Sequence, residues 1–333
     1  MTKICIIGAG SWGTALALTA HRAGQRVTLL PRRLEQSDML NKTRENVKYL
    51  PGVTLPSDLV ISSDLKLLKD ADIVLQVTPA QTIHQTCLMA KEHLSSHASW
   101  VICAKGIMRG TAQKSPQLLS EVAREILPNS IAILSGPSFA DEVGLNLPTA
   151  VTIASESEDT AKFVASSLRH TRFRCYVSDD PIGVQVAGAI KNVLAIACGI
   201  VRGRGFGNNA TAALITRGLA EMRRLGLALG GKSDTFLGLS GVGDATLTCS
   251  SEQSRNTRLG VALGRDGTNA ARILKESSSL AEGVPTVAAI LKLSEALSIP
   301  MPLCEAVYAI LYRDVPVDEV IENILSRQSE LEF

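Results

Sequence analysis

Aromatic side chains are scarce in this 333-residue chain: two Trp, four Tyr and six Phe, 4% of the whole. Stacking on single-stranded nucleic acid needs successive aromatic platforms, so that class of partner is not expected. An excess of one charge is missing too. Lys and Arg total 34 against 32 Asp and Glu, a net charge of +2, which leaves no basic face for a duplex or an anionic membrane. The seven cysteines (Cys5, Cys87, Cys103, Cys175, Cys198, Cys249 and Cys304) are odd in number, scattered and without a C-x-x-C pair. That argues against a disulfide framework or a zinc site, and no metal is expected. No repeat or low-complexity segment is visible. The amino terminus, MTKICIIGAG, runs straight into a strand pattern and leaves no room for a signal peptide, so the expected location is cytoplasmic.

What the chain does have is one long apolar run, Val184–Val201, with Lys191 and Asn192 at its middle. Its 18 residues only reach the lower limit of a membrane span. The central charge and the lack of flanking basic anchors argue against one. A solvated stripe on a surface helix would need polar residues near Lys191. The positions three and four away are Ala187, Gly188, Leu194 and Ala195. The remaining reading is a core helix that carries a lysine into a closed site, where burial lowers its pKa toward neutrality and suits it to proton transfer.

Upstream, strand patterns at 3–7, 26–30, 73–77, 100–104, 131–134, 150–154 and 173–177 alternate with helical ones at 14–23, 81–93, 115–127 and 158–168. This predicts an α/β fold, a Rossmann-type, doubly wound, mostly parallel sheet over residues 1–179. After Ser178-Asp179-Asp180-Pro181, a capped helix start with proline in the first turn, the pattern is helical only, at 184–201, 209–229, 255–264, 286–297 and 303–313. An all-α domain over 180–333 follows. The glycine-rich stretch Gly203–Asn208 reads as a mobile loop.

Within the first domain, Gly8-Ala9-Gly10-Ser11-Trp12-Gly13 follows a strand and opens a helix. In that context Gly8 makes a tight turn, Gly10 lets a diphosphate approach the backbone and Gly13 lets helix and strand pack closely. The second strand ends in Pro31-Arg32-Arg33 where an NAD-selective site has an acid; two arginines suit a 2′-phosphate and favour NADP without excluding NAD. Two further strand ends carry polar residues to the ligand edge: Ala104-Lys105-Gly106 and Ser135-Gly136-Pro137-Ser138-Phe139-Ala140. Among the helices, Ser240-Gly241-Val242-Gly243-Asp244 sets a carboxylate in a glycine-framed turn, able to orient a lysine or accept from a hydroxyl. Ser254-Arg255-Asn256 opens a helix with a cap, a guanidinium and an amide, the makings of a phosphate site.

Taken in order, these motifs resemble one family. They are Gly8–Ala15, Tyr49-Leu50-Pro51-Gly52, Ala104–Gly106, Ser135–Ala140, Gly188–Val193, Thr216–Met222, Gly241–Asp244 and Gln253–Asn256. Together they cover nearly the whole chain and are similar to the bacterial NAD(P)-dependent glycerol-3-phosphate dehydrogenases. The resemblance implies interconversion of dihydroxyacetone phosphate and sn-glycerol 3-phosphate, feeding phospholipid synthesis. It implies Lys191 as proton donor and acceptor, and Lys105 touching both substrate and cofactor. Gly136, Ser138, Asp244, Ser254, Arg255 and Asn256 would line the substrate site. Ser11, Trp12, Arg32, Arg33, Ala140, Arg255, Leu280 and Glu282 would contact NADP or NAD. The expected partners are small molecules, and the sequence leaves room for a homodimer. Two other readings share features: a 3-hydroxyacid or 6-phosphogluconate-type dehydrogenase, and a regulator that binds NADP without turnover. The Ser-Arg-Asn and Gly-Val-Gly-Asp segments weigh against the first, and Lys191, Lys105 and Asp244 together weigh against the second.

Overall fold

The computed structural model describes residues 1–111, 114–267, 270–276 and 281–326; Leu280 lies outside the described residues. The chain begins with β1 (Lys3–Ile7), α1 (Ser11–Arg22), β2 (Arg26–Leu30) and α2 (Leu34–Thr43). A small antiparallel ribbon, β3 (Glu45–Asn46) with β4 (Leu50–Thr54), and the short β5 (Val60–Ile61) lead to β6 (Ile73–Gln76), α3 (Ile83–Lys91) and β7 (Ser99–Ile102). A second ribbon, β8 (Ile107–Met108) with β9 (Gln117–Leu118), runs into α4 (Leu119–Arg124) and β10 (Ile131–Ser135). Helix α5 (Ala140–Gly144), β11 (Thr149–Ala154), α6 (Glu158–Leu168) and β12 (Phe173–Ser178) close this half.

The eight-stranded sheet has the order β12-β11-β10-β7-β6-β1-β2-β5. Every residue of β6, β7 and β10 is buried, as an α/β sheet covered on both faces requires. Helix α1 packs on one face, and α3 and α4 pack on the other. Strand β1 sits between β2 and β6, so the winding reverses there, and the crevice at the carboxyl ends of the strands opens above that point.

The sequence pattern misjudged several local features. Strand β11 runs antiparallel to β10, because the short α5 turns the chain straight back where a parallel strand needs a longer crossover. The helix expected over 115–127 shrinks to α4, since Gln117 and Leu118 pair with Met108 and Ile107 in the ribbon. Helix α2 was not expected at all: only Ser37 and Leu40 of its ten residues are buried, so it lacks an apolar stripe. Outside these differences, the glycine-rich stretch after residue 203 makes a hydrogen-bonded turn. Gly205 (φ +74°) donates to Arg202 O, and Phe206 donates to Val201 O.

The second half is helical: α7 (Pro181–Gly203), α8 (Asn208–Ala228), α9 (Asp244–Ser250), α10 (Arg255–Asp266), α11 (Ala270–Glu276), α12 (Gly283–Ala296), α13 (Pro302–Arg313) and α14 (Val317–Leu325). Helix α7 is its axis. Nineteen of its 23 residues are buried, and 94% of its most apolar 18-residue window lies inside the protein, so it is a core helix. Its start is pinned by Asp180, whose carboxylate accepts from Gly183 N (2.8 Å), Lys232 N (2.8 Å) and Thr235 Oγ1 (2.6 Å). Its later turns meet α10 backbone to backbone. Cβ atoms on Gly199 or Gly260 would overlap the opposing main chain, and Gly203 and Gly264 repeat the contact one turn on. This close crossing carries the start of α10 to the side of Asn192.

Candidate active site

Above the carboxyl edge of the sheet, three charges meet. Lys191 projects from the middle of α7, Lys105 follows β7, and Asp244 stands in the first turn of α9, just after a wide turn at Leu239–Gly243. Lys191 Nζ donates to Asp244 Oδ1 at 2.5 Å, and Lys105 Nζ donates to Asp244 Oδ2 at 2.6 Å. One carboxylate therefore holds two ammonium groups, leaving an excess positive charge. The side chains of Lys191, Asp244 and Lys105 are 8%, 1% and 17% exposed, so this charge faces an enclosed space with low screening.

Burial lowers the Lys191 pKa to about 8; Asp244 opposes the fall, and Lys105 adds to it. Burial alone would raise the Asp244 carboxyl, but the two ammonium groups outweigh it and hold the group below its ordinary value. The anion is thus the stable form of Asp244, and Lys191 is the member able to change charge near neutrality. Lys191 Nζ also donates to Thr248 Oγ1 at 2.8 Å. Thr248 lies one turn beyond Asp244 on α9, and its hydroxyl is 3.3 Å from Asp244 Oδ1. Thr248 was absent from the expected site residues; its i+4 spacing from Asp244 would have revealed it had α9 been foreseen.

A second network fixes the surroundings. Lys105 Nζ donates to Gly136 O at 2.9 Å, and Ser138 Oγ donates to the same oxygen at 3.0 Å. Gly136 itself needs no side chain: its φ is +135°, and a Cβ would crowd Val151. Asn256 Nδ2 donates to Asn192 Oδ1 (3.0 Å), Asn192 Nδ2 reaches Lys105 O (3.4 Å), and Gly283 N donates to Asn256 Oδ1 (3.0 Å). Ser254 caps α10 by accepting from Thr257 N at 3.2 Å, while Arg255 stays exposed at the mouth. Glu282, at the start of α12, is mostly buried, and its Oε2 has no partner among the described residues. Burial raises its pKa, and Arg255 and the Ala80 amide offset part of that rise.

The dinucleotide motif lies alongside. Gly8 has φ +111°, and a Cβ there would crowd Val77 O; one on Gly13 would overlap Gly8 O. Both glycines are required by the chain's own packing. Gly10 is different: a Cβ would meet nothing within 4 Å, so its bareness serves the outer side of the loop. Helix α1 has no side-chain cap and no acid in its first turn, so its amino-terminal N–H groups are available to an anion. The stretch from Val77 to Ala80 runs between this loop and Glu282: a Cβ on Gly8 would meet Val77 O, and one on Gly106 would meet Ala80 Cβ and come within 4.0 Å of Glu282 Oε2.

The structure therefore brings Lys105, Gly136, Ser138, Lys191, Asp244 and Asn256 into one hydrogen-bonded unit, with Ser254, Arg255 and Glu282 beside it. Arg32 and Arg33 sit elsewhere, exposed at the end of β2, and neither has an ion pair or side-chain hydrogen bond with a described residue. Ser11 and Trp12 form the first turn of α1, and Ala140 begins α5. None of these five touches the lysine pair.

The description of the amino terminus of NAD-dependent glycerol-3-phosphate dehydrogenase matches residues 3–161, and that of its carboxy terminus matches residues 180–322. The chain belongs to this family. It is 47% identical over 326 residues to glycerol-3-phosphate dehydrogenase [NAD(P)+] of Caulobacter vibrioides, covering 98% of this chain and 97% of that protein. It is also 47% identical over 331 residues to the Rhodospirillum rubrum enzyme of the same name, covering 99% and 93%. The crystal structure of glycerol-3-phosphate dehydrogenase from Coxiella burnetii superposes with a TM-score of 0.91 at 39% identity, over 98% of this chain and 99% of that one. The family member from Saccharomyces cerevisiae gives 0.84 at 31%, over 97% and 99%.

Proposed function

We propose that this chain interconverts dihydroxyacetone phosphate and sn-glycerol 3-phosphate with NAD(P)H, and that Lys191 is its acid–base group. The observation that carries the residue assignments is the single carboxylate of Asp244 clamping two lysines at the edge of the sheet. The residues present fit a dinucleotide: Gly10 is bare on its outer side, α1 has no side-chain cap, and one buried Glu282 oxygen has no partner among the described residues. When bound, the cofactor supplies the hydride. Everything else falls to the protein.

In reduction, negative charge grows on the former carbonyl oxygen. Lys191, whose ammonium donates to Asp244 and Thr248, neutralises that charge by giving up a proton from Nζ. In oxidation, neutral Lys191 accepts the hydroxyl proton. Lys105 stays beside Gly136 O and paired with Asp244 in either direction. Arg255 and the start of α10 hold the phosphate, whose binding energy fixes the carbon in place. In this reading residues 1–179 are the dinucleotide domain, residues 180–333 supply acid, base and phosphate contacts, and Arg32 and Arg33 favour NADP. The product would feed phospholipid synthesis.

The test is oxidation of NADPH by the purified protein, with dihydroxyacetone phosphate compared against 3-oxoacids and unphosphorylated ketones. Turnover should be confined to the triose phosphate. Faster turnover of an oxoacid, or none with any acceptor, would overturn the assignment.

A further inference from the structure

The ribbon of β3 and β4 plays no part in proton transfer, yet Asn46 on β3 is fully buried beneath the glycine loop. Its Nδ2 donates to Ala9 O at 3.1 Å and to Thr14 Oγ1 at 2.7 Å. Thr14 Oγ1 in turn donates to Gly10 O at 2.8 Å. From the other side Gln36 of α2 donates Nε2 to the same Ala9 O at 2.9 Å. A carbonyl oxygen can only accept, so both amide groups must present their NH₂ ends to the loop. Meanwhile Asn46 Oδ1 is buried without a partner among the described residues. That costs free energy, which an apolar side chain of similar size would avoid, so the donors are what this position needs.

The consequence follows from peptide geometry. In a planar trans peptide the C=O and the next N–H point in opposite directions. Pinning Ala9 O and Gly10 O inward therefore aims the N–H groups of Gly10 and Ser11 outward. We propose that Asn46 and Gln36 are positioning residues that hold the glycine loop with its carbonyls turned away from, and its amides turned toward, the diphosphate of the dinucleotide. Gly10 O is held in any case by Thr14 N at 3.0 Å, but without the two amide pins the Ala9–Gly10 peptide can rotate and present its carbonyl dipole to the anion. The proposal rests on the reading that this loop receives NAD(P)H.

The test compares NADPH, which has the diphosphate, with adenosine 2′-monophosphate, which lacks it. Dissociation constants are measured for the whole protein and for Asn46→Asp and Gln36→Glu, both of which keep side-chain shape but lose the donor. NADPH should bind about tenfold more weakly to each variant, the scale of one hydrogen bond lost beside a charge. Adenosine 2′-monophosphate should change by no more than about twofold, as for a distant substitution. The loss should appear in KM for NADPH rather than in kcat at saturating cofactor. Gln36 is only half-buried, so its variant carries the test alone if Asn46→Asp does not fold. Unchanged NADPH binding in a folded variant would overturn the proposal. Equal losses for both nucleotides would do so too, by showing a merely structural role. Failure of the unaltered protein to bind NADPH would instead remove the reading beneath it.

Discussion

At the glycine loop the protein offers an anion its main chain: uncapped N–H groups of α1, with a bare Gly10 beside them. At the lysine pair it offers side chains, two ammonium groups and a carboxylate from three separate elements. The main-chain site is set by backbone packing, and its N–H groups do not titrate. The side-chain site has the opposite character. It can change its charge, as proton transfer demands, and each of its members is a single point of failure. The division matches the two tasks, since a diphosphate must be held unaltered while a carbonyl oxygen must gain and lose a proton. Substitutions should therefore cost most at the buried lysines, less at the rim of α10, and least at the exposed edge of β2.

The largest effect is expected at Lys191. Lys191→Ala should lower turnover by about 10²–10⁴-fold, the usual contribution of a general acid or base, while NADPH binding and the fold survive. Asp244 would keep its pair with Lys105, so no lone buried anion is created. Near-normal turnover in a folded variant would remove the assignment. The same residue sets a pH signature. With a Lys191 pKa depressed to about 8, the protonated form needed for ketone reduction declines as pH rises through that value. The neutral form needed for alcohol oxidation grows over the same interval. The two directions should show mirror-image pH profiles, and parallel ones would contradict the mechanism.

An intermediate effect is expected at Arg255, which is charged but stands at the exposed mouth of the site. Arg255→Ala should weaken dihydroxyacetone phosphate by about 2–3 kcal/mol, the scale of a charge-assisted hydrogen bond. Unphosphorylated dihydroxyacetone should lose far less. Equal losses would show that Arg255 reads something other than the phosphate.

How far the sequence revealed this arrangement differs between the same two regions. The glycine loop was legible because its three glycines have fixed offsets after a strand, and the reason for each offset is local. Lys191 was legible as a charge that an apolar run could not ignore. What Asp244 faces was not legible: a carboxylate in a glycine-framed turn could meet a lysine or a hydroxyl, and it meets two lysines and Thr248 because α9 packs on α7. The crossing of α7 with α10 through paired glycines was likewise hidden, since it depends on residues about 60 positions apart. Helix α2 and the β3–β4 ribbon escaped notice for a different reason. They hold no apolar stripe, and what ties them to the glycine loop is the side-chain amides of Gln36 and Asn46.

The smallest effect is expected at the end of β2, and it decides how far the main-chain site discriminates between cofactors. Arg32 and Arg33 are exposed, have no ion-pair partner among the described residues, and stand where an acid would accept from a ribose 2′-hydroxyl and repel a 2′-phosphate. Each can donate to such a phosphate, singly or as a fork. Exposed charge pairs are worth about 1 kcal/mol or less, and partly enclosed ones more. NADPH should accordingly be preferred over NADH by about tenfold or more in kcat/KM, a difference near 1.4 kcal/mol. Replacing both arginines with alanine should erase most of that preference while leaving the NADH reaction nearly unchanged, because in the proposed reading the backbone holds the diphosphate. Raising the salt concentration should shrink the preference in the unaltered protein, since both side chains lie in solvent where counterions screen them. Equal use of the two cofactors at low salt would show that Arg32 and Arg33 form only a solvated turn. A preference that survives both substitutions would place 2′-phosphate recognition on other residues.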